Sequence, residues 1–231
     1  MMRNKMISFD ALENIFYDGM TIMVGGFMGC GTPHKLIDYL AQSDIQNMTL
    51  ICNDGALHDF NGEKYYGVAK LINEGKVKKL IATHVGLNED VSELVNSGKL
   101  EVELIPQGSF VEMIRAGGYG LGGVITPTGV GTEIENSEHV YKKIEIDGKE
   151  YLIEKPLKAD VSLIYGSKVD YAGNIWCEGT TKNFNIAMAS AGKVVIAEAG
   201  EIVSSECIGH ENIAIPSILI NYIVGGGNEI G

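Results

Sequence analysis

Short apolar runs alternate with amphipathic stretches along the first hundred residues, and that rhythm predicts the fold class. Residues 20–24, 48–52, 77–83 and 101–105 read as strands. The first is a short apolar run with β-branched members, as a strand covered on both faces is. Between the four runs, residues 33–42, 64–73 and 89–96 carry helical spacing; in the last, Val91, Leu94 and Val95 fall at i, i+3 and i+4. Such alternation predicts a mostly parallel sheet with helices packed on it. The middle of the chain differs. Residues 117–132 are glycine-rich and read as a loop region with one small strand. Residues 141–154 predict a β-hairpin, because Asp147-Gly148 stands between two alternating runs and suits a type I′ turn. The α/β rhythm then returns, with strands at 161–165 and 194–197 and a helix at 185–191. The expected fold is therefore α/β: a single domain with an open, mostly parallel sheet, flanking helices and a β-hairpin insertion. It is expected to span residues 1–224, with 225–231 a flexible C-terminal tail.

The stretch from Asp18 to Pro33 carries the densest local signal. Asp18-Gly19 is a turn dipeptide. A short apolar strand follows, then Gly25, Gly26, Gly29 and Gly31, interrupted by Phe27, Met28 and Cys30. Glycine lets a backbone bend sharply and approach a ligand closely. Thr32 suits an N-cap and Pro33 the first position of a helix. A glycine loop feeding a helix start offers N–H groups and a positive dipole end to an anion, and equally serves tight packing. The spacing is not G-x-G-x-x-G, so the dinucleotide fingerprint is not met.

In an open parallel sheet, loops at the carboxyl ends of the strands line one crevice. Order and periodicity alone thus put Asn53, Asp54, His84, Asn88 and Gln107 on one rim with the glycine loop. Gln107, between Pro106 and Gly108, offers an uncharged N–H donor suited to an acyl oxyanion, or else caps a backbone carbonyl. Asn53-Asp54-Gly55 forms an Asx-turn as readily as a polar pocket. His84 can donate to a carboxylate or end a strand. Arg115 is expected in an intramolecular ion pair. Cys30 has no identifiable base beside it, which speaks against thiol catalysis.

Charge narrows the partners. The 231 residues hold 18 Lys+Arg against 30 Asp+Glu, a net charge of −12. Nucleic acid is a poor partner for that balance, since phosphates are neutralised by clustered lysine and arginine. No run reaches the ~18 apolar residues of a membrane span. Four scattered cysteines without a C-x-x-C pair fit a reducing cytoplasm. Five histidines without H-x-x-x-H spacing predict no metal site.

Several separated blocks raise the specificity. After the glycine loop come Glu101-Val-Glu-Leu-Ile-Pro-Gln-Gly108, Ile114-Arg-Ala-Gly-Gly118, Thr126-Pro-Thr-Gly-Val-Gly-Thr132, Asp170-Tyr-Ala-Gly-Asn174 and Asn183-Phe-Asn185. In this order they resemble the first (alpha, or A) subunit of family I CoA-transferases, over roughly residues 8–224. That family includes the acetate/butyrate–acetoacetate and succinyl-CoA:3-oxoacid enzymes. The resemblance implies transfer of CoA between an acyl-CoA and a free carboxylic acid such as acetate, butyrate or acetoacetate. Coenzyme A would be a substrate, with no permanently bound cofactor. It gives Gln107 an acyl-site role in stabilising the thioester oxygen. It places Asn53 and Asp54 at the family's Asn-Asn or Asn-Asp pair, which lines the acyl pocket, and so among the substrate- or CoA-binding residues. It assigns Gly25, Gly26, Phe27, Gly29 and Gly31 to substrate or CoA binding, together with His84, which stands where a 3-oxoacid enzyme can carry tyrosine. The Asn183-Phe-Asn185 and Thr126 blocks take a structural role.

One family feature is missing. The nucleophilic glutamate sits in a Ser-Glu-Asn-Gly motif on the second subunit, where its carboxylate attacks the thioester and later carries CoA itself. Here the Glu-Asn pairs are Glu13-Asn14, Glu135-Asn136 and Glu211-Asn212, none followed by glycine. The resemblance therefore implies a chain inactive alone and a partner beta subunit, in an α2β2 or larger assembly. Two other readings share a related fold: a sugar-phosphate isomerase or deaminase, needing an acid/base group in this chain, and a non-catalytic sugar-phosphate sensor.

Overall fold

The computed structural model describes residues 4–60 and 62–225. In chain order its elements are β1 (Thr21–Val24), α1 (His34–Gln42), β2 (Met48–Cys52), β3 (Leu57–Phe60), β4 (Glu63–Tyr66), α2 (Ala69–Asn73), β5 (Val77–Ala82), α3 (Asp90–Asn96) and β6 (Glu101–Leu104). Then come α4 (Gln107–Gly118), β7 (Val124–Thr126), β8 (Val140–Ile146), β9 (Lys149–Glu154), β10 (Ala159–Asp170), β11 (Ile175–Trp176), α5 (Asn183–Met188), β12 (Gly192–Val203) and β13 (Tyr222–Gly225).

The main sheet runs β13-β12-β10-β1-β2-β5-β6, all parallel, with β11 antiparallel on β10. The central strands β1 and β2 are almost wholly apolar and buried because both faces of the sheet are covered there, whereas edge strand β6 carries Glu101 and Glu103. Ile22, Val24, Leu50, Cys52, Leu80 and Ala82 enter one core with Leu36, Ile37 and Leu40 of α1 and Leu71 and Ile72 of α2. The alternating Met23, Ile51 and Ile81 enter the other, with Phe110, Met113 and Ile114 of α4 and Phe184 and Met188 of α5. Phe110 is fully buried, its ring 5.6 Å from that of Phe184. The chain runs outward from β1 in both directions, so β1 and β10 flank a topological switch point, where ligands of open α/β sheets bind.

The hairpin insertion is β8–β9, turning at Asp147 (φ 51°) and Gly148 (φ 76°) as a type I′ turn requires, and β7 joins it as a third strand. Four expectations need correction. The helical spacing read over 64–73 splits: residues up to Tyr66 pair with β3, Gly67 turns at φ 58°, and only Ala69–Asn73 is helical. Gln107 opens helix α4 instead of lying in a loop. The strands at 161–165 and 194–197 extend to twelve residues each, because they pair with each other along ten positions. Gly225 ends β13 rather than starting a tail; residues 226–231 of that expected tail lie outside the described residues. Among the described residues, no helix is long and apolar enough to cross a membrane.

Candidate active site

The glycine loop leaves β1 at Gly25, whose N–H donates to Leu163 O at 2.9 Å. Phe27 and Cys30 then exchange backbone bonds of 3.0 and 2.9 Å around Met28 (φ 48°) and Gly29 (φ 83°), a two-residue hairpin with both central residues left-handed. Space rules out a side chain at Gly25, Gly26 and Gly29. A Cβ on Gly25 would lie 2.0 Å from Asn185 Oδ1, and one on Gly29 would lie 2.2 Å from the Tyr66 ring. Asn185, with no exposure, stitches this loop in place. Its Nδ2 donates to Gly31 O (2.9 Å) and Thr181 O (2.8 Å), and its Oδ1 accepts from Tyr165 N–H (2.9 Å). Asn183 Nδ2 donates to Cys30 O at 2.9 Å. The Asn183-Phe-Asn185 block therefore ties two loops together, as its sequence role suggested.

The helix start after this loop is not an empty anion site. Pro33, not Thr32, occupies the cap position of α1, and no local side chain caps it. Instead the carboxylate of Glu198, on β12, accepts the Leu36 N–H at 2.9 Å, and the Lys35 N–H bonds to it as well. Glu198 is 5% exposed. Burial pushes its carboxyl up to about 7, against the pull of the Leu36 N–H and the Lys35 charge. The sequence signal available was one acid ending the apolar run Val-Val-Ile-Ala; nothing local announced its target.

The rim residues divide. Gln107 is exposed, and its Nε2 donates to Asn53 Oδ1 at 2.7 Å. Asn53 Nδ2 donates to Asp54 Oδ2 at 2.8 Å, and Asp54 Oδ2 also accepts the Met28 N–H at 2.9 Å. Asp54 Oδ1 accepts the Ala56 N–H at 2.9 Å, so the anticipated Asx-turn is present too. The structure thus brings together Gln107, Asn53, Asp54 and the loop tip. His84 is half-buried, aligned with Asp54 in a parallel bridge, with Nδ1 3.3 Å from Thr83 Oγ1. Asn88 is turned inward, 2% exposed, and donates to Gly55 O and Asn73 Oδ1. Arg115 pairs with Glu112 at 2.8 Å.

Helix α4 starts at Pro106 without any side-chain cap, and Gln107 and Gly108 are exposed there. Its first intrahelical bond is Phe110 N–H to Pro106 O. Free N–H groups, a positive dipole end and a fixed amide thus converge on one exposed point, which suits a developing oxyanion.

A second polar cluster lies at the far sheet edge, beside a cavity of about 440 Å³ lined by β6 residues, Met113, Ile134 and Glu154. Glu103, Glu138 and His139 sit close enough to hold a metal ion. The Lys79 ammonium already fills that role, paired with Glu101 (2.9 Å), Glu103 (3.3 Å) and Glu138. Burial opposes ionisation of Glu103, yet hydrogen bonds from His139 and Ser137 and the Lys79 charge hold it down at about 2.

The coenzyme A transferase family model matches residues 5–226. The chain belongs to the coenzyme A transferase family. It is 53% identical over 223 residues to the acetoacetyl-CoA:acetate/butyrate CoA transferase alpha subunit of Clostridium acetobutylicum, covering 96% of this chain and 98% of that one. It is 40% identical to the acetate CoA-transferase subunit alpha of Escherichia coli K12, covering 96% and 97%. The acyl-CoA transferase YdiF of E. coli O157:H7, solved as a thioester complex with CoA, superposes with a TM-score of 0.83 at 23% identity over 98% of this chain. The chain spans about half the length of that protein, 48%. Glutaconate coenzyme A-transferase of Acidaminococcus fermentans gives a TM-score of 0.81 at 20% identity, covering 95% and 75%. At those identities the two solved structures establish the shared fold, as the sequence resemblance anticipated.

Proposed function

We propose that this chain is the alpha subunit of a short-chain acyl CoA-transferase of the acetoacetyl-CoA:acetate/butyrate type. Its beta subunit supplies the nucleophilic glutamate, and coenzyme A is a substrate. Four free cysteines suit work in a reducing cytoplasm. The observation that carries the reading is Gln107: an exposed amide, oriented by Asn53, at the uncapped start of α4, in a chain of this family.

The chemistry follows from that placement. The partner's carboxylate attacks the acyl-CoA carbonyl carbon, and negative charge builds on its oxygen. One Gln107 Nε2–H is held by Asn53; the other is available to that oxygen, beside the first-turn N–H groups of α4. Collapse expels CoA thiolate and leaves a mixed anhydride. The thiolate then attacks that anhydride, releases the carboxylic acid and leaves CoA bound to the glutamate as a thioester. The second acid reverses the sequence. The sugar-phosphate readings have no comparable support: the helix start next to the glycine loop is filled by Glu198, not open to a phosphate.

The test is co-expression with the adjacent open reading frame and assay with acetoacetyl-CoA plus acetate or butyrate. Activity from the mixture and neither chain alone, with hydroxylamine or borohydride trapping on a partner glutamate, supports the reading. Activity of this chain by itself, or a stable complex that transfers no short-chain acid, overturns it.

A further inference from the structure

Asp54 is 5% exposed, and both of its oxygens are held by this chain's own donors. Its two oxygens take N–H groups from Asn53 (2.8 Å), Met28 (2.9 Å) and Ala56 (2.9 Å). A carboxylate can only accept. Asn53, 1% exposed, must therefore turn its NH2 toward Asp54 and its Oδ1 the other way. That oxygen then demands a donor, and Gln107 must present Nε2 to it, at 2.7 Å.

We propose that Asp54 is a positioning residue: through Asn53 it fixes which end of the Gln107 amide meets Asn53, and it ties that setting to the tip of the glycine loop. The proposal rests on the reading of Gln107 as the acyl-site donor. With an amide in place of the carboxylate, the end that meets Asn53 Nδ2 and the Met28 N–H can be NH2 instead of oxygen, and both amides of the relay can then rotate by half a turn. Gln107 would then turn Oε1 to Asn53 Nδ2, and the direction of its remaining donor would no longer be set. The same carboxylate holds the N–H of Met28, whose φ of 48° is unusual for a residue with a side chain. Loop tip and amide are thus set by one group.

The experiment is Asp54→Asn in the α/β complex. An amide keeps the volume but accepts at one end only, so it gives up the bond to either the Ala56 or the Met28 N–H and no longer dictates polarity. Expected is a fall in kcat of about 10- to 100-fold, with KM for acyl-CoA within about twofold and the complex intact. In a Gln107→Ala background the same change should cost less than about twofold, because the step it serves is already gone. A purely structural role would lose the same factor in both backgrounds, and that result overturns the proposal, as does full activity of Asp54→Asn. Asn53→Ser removes the middle amide and should show the same non-additivity if Asp54→Asn fails to fold. The readout independent of transfer is the side-chain NH2 of Gln107. The chain has three glutamines, Gln42, Gln46 and Gln107, so glutamine-selective ¹⁵N labelling of the complex resolves it. Two separated, slowly exchanging Gln107 protons in the wild type, merging toward free-amide positions in Asp54→Asn, support the relay. Identical Gln107 signals in both proteins refute it, even in a complex that transfers no CoA.

Discussion

Helix α1 and helix α4 both leave the carboxyl end of a parallel strand through a short connection, and both have proline at the cap position. Neither proline can donate or cap with a side chain, so each helix begins with unsatisfied N–H groups. The two starts are nevertheless opposite in use. At α1 the buried carboxylate of Glu198 takes two of the first-turn N–H groups, although the proline and Glu198 are 165 positions apart by their numbers, 33 and 198. At α4 no side chain among the described residues caps the first turn, and the side chain standing there is an exposed, oriented amide. A helix start beside a glycine loop is thus a candidate anion site only until the rest of the chain is folded around it. Here the more suggestive sequence is the closed end and the plainer one is the open end.

The comparison breaks most visibly at the open end. Gln107→Ala should lower kcat of the α/β complex by about 10²- to 10³-fold, with little change in melting temperature, because an exposed donor is lost at no cost in packing. A loss below about fivefold would mean that the backbone N–H groups of α4 serve the oxyanion alone. At the closed end the expected effect is on stability and depends on pH. The Glu198 carboxyl rises from 4.5 to about 7 on folding. A raised carboxyl binds its proton more tightly in the folded chain, so stability contributed by the protonated form is present below about pH 4.5 and lost as pH climbs to about 7. Over that window the charged form costs up to about 3 kcal/mol relative to the neutral one. Glu198→Gln, neutral at every pH, should therefore gain on the wild type as pH rises from about 5 to 8. Unfolding of both complexes in denaturant across that range checks the sign; parallel curves would show that the α1 start stabilises the charge fully.

Much of the fold was legible because period and burial coincide. Strands β1 and β2 are buried on both faces and their short apolar runs announced them, while β5 was announced by the apolar end Leu80–Ala82 that follows two lysines. Asp147-Gly148 announced the hairpin through its obligatory left-handed turn. The misread segment, 64–73, shows the limit. Tyr65, Val68, Ala69 and Ile72 have helical spacing, yet Gly67 interrupts it at φ 58°, and the residues before it pair as a strand. Strand β13 escaped because four residues beside a glycine run are too few to show a period. For the site, Gln107, Asn53 and Asp54 were placed on one rim from strand order alone, and they do meet. What order could not supply was direction: that Asn53 and Asp54 point inward and only Gln107 outward, that Asn88 is buried, and that Glu198 reaches α1. Those facts depend on contacts between residues distant in sequence, where local patterns carry no information.

Two smaller effects sharpen the contrast. Gly25→Ala inserts a Cβ 2.0 Å from Asn185 Oδ1. Asn185 is fully buried and bonded on both sides, so it cannot step aside, and the strain should cost about 1–3 kcal/mol of stability. Because the displaced loop carries Met28, the partner of Asp54, activity should fall as well; a melting point unchanged within a degree would show that the loop is softer than its contacts imply.

The smallest effect belongs to the other end of α4. Arg115 lies in its last turn, about half exposed, and its guanidinium bonds both oxygens of Glu112 at 2.8 and 2.9 Å. Exposed pairs at this helical spacing contribute no more than about 0.5 kcal/mol and fade with salt. If α4 acts only through its first turn, Arg115→Ala leaves kcat and KM within about twofold and shifts the melting temperature by a degree or two at most. The helix dipole makes the same statement: charge in the last turn is felt there and decays before it reaches Gln107, eight residues away by the numbering 107 and 115. A rise in KM for acyl-CoA in this variant would instead give Arg115 a phosphate or carboxylate to hold, and would move part of the substrate to the end of α4 that the comparison with α1 treats as inert.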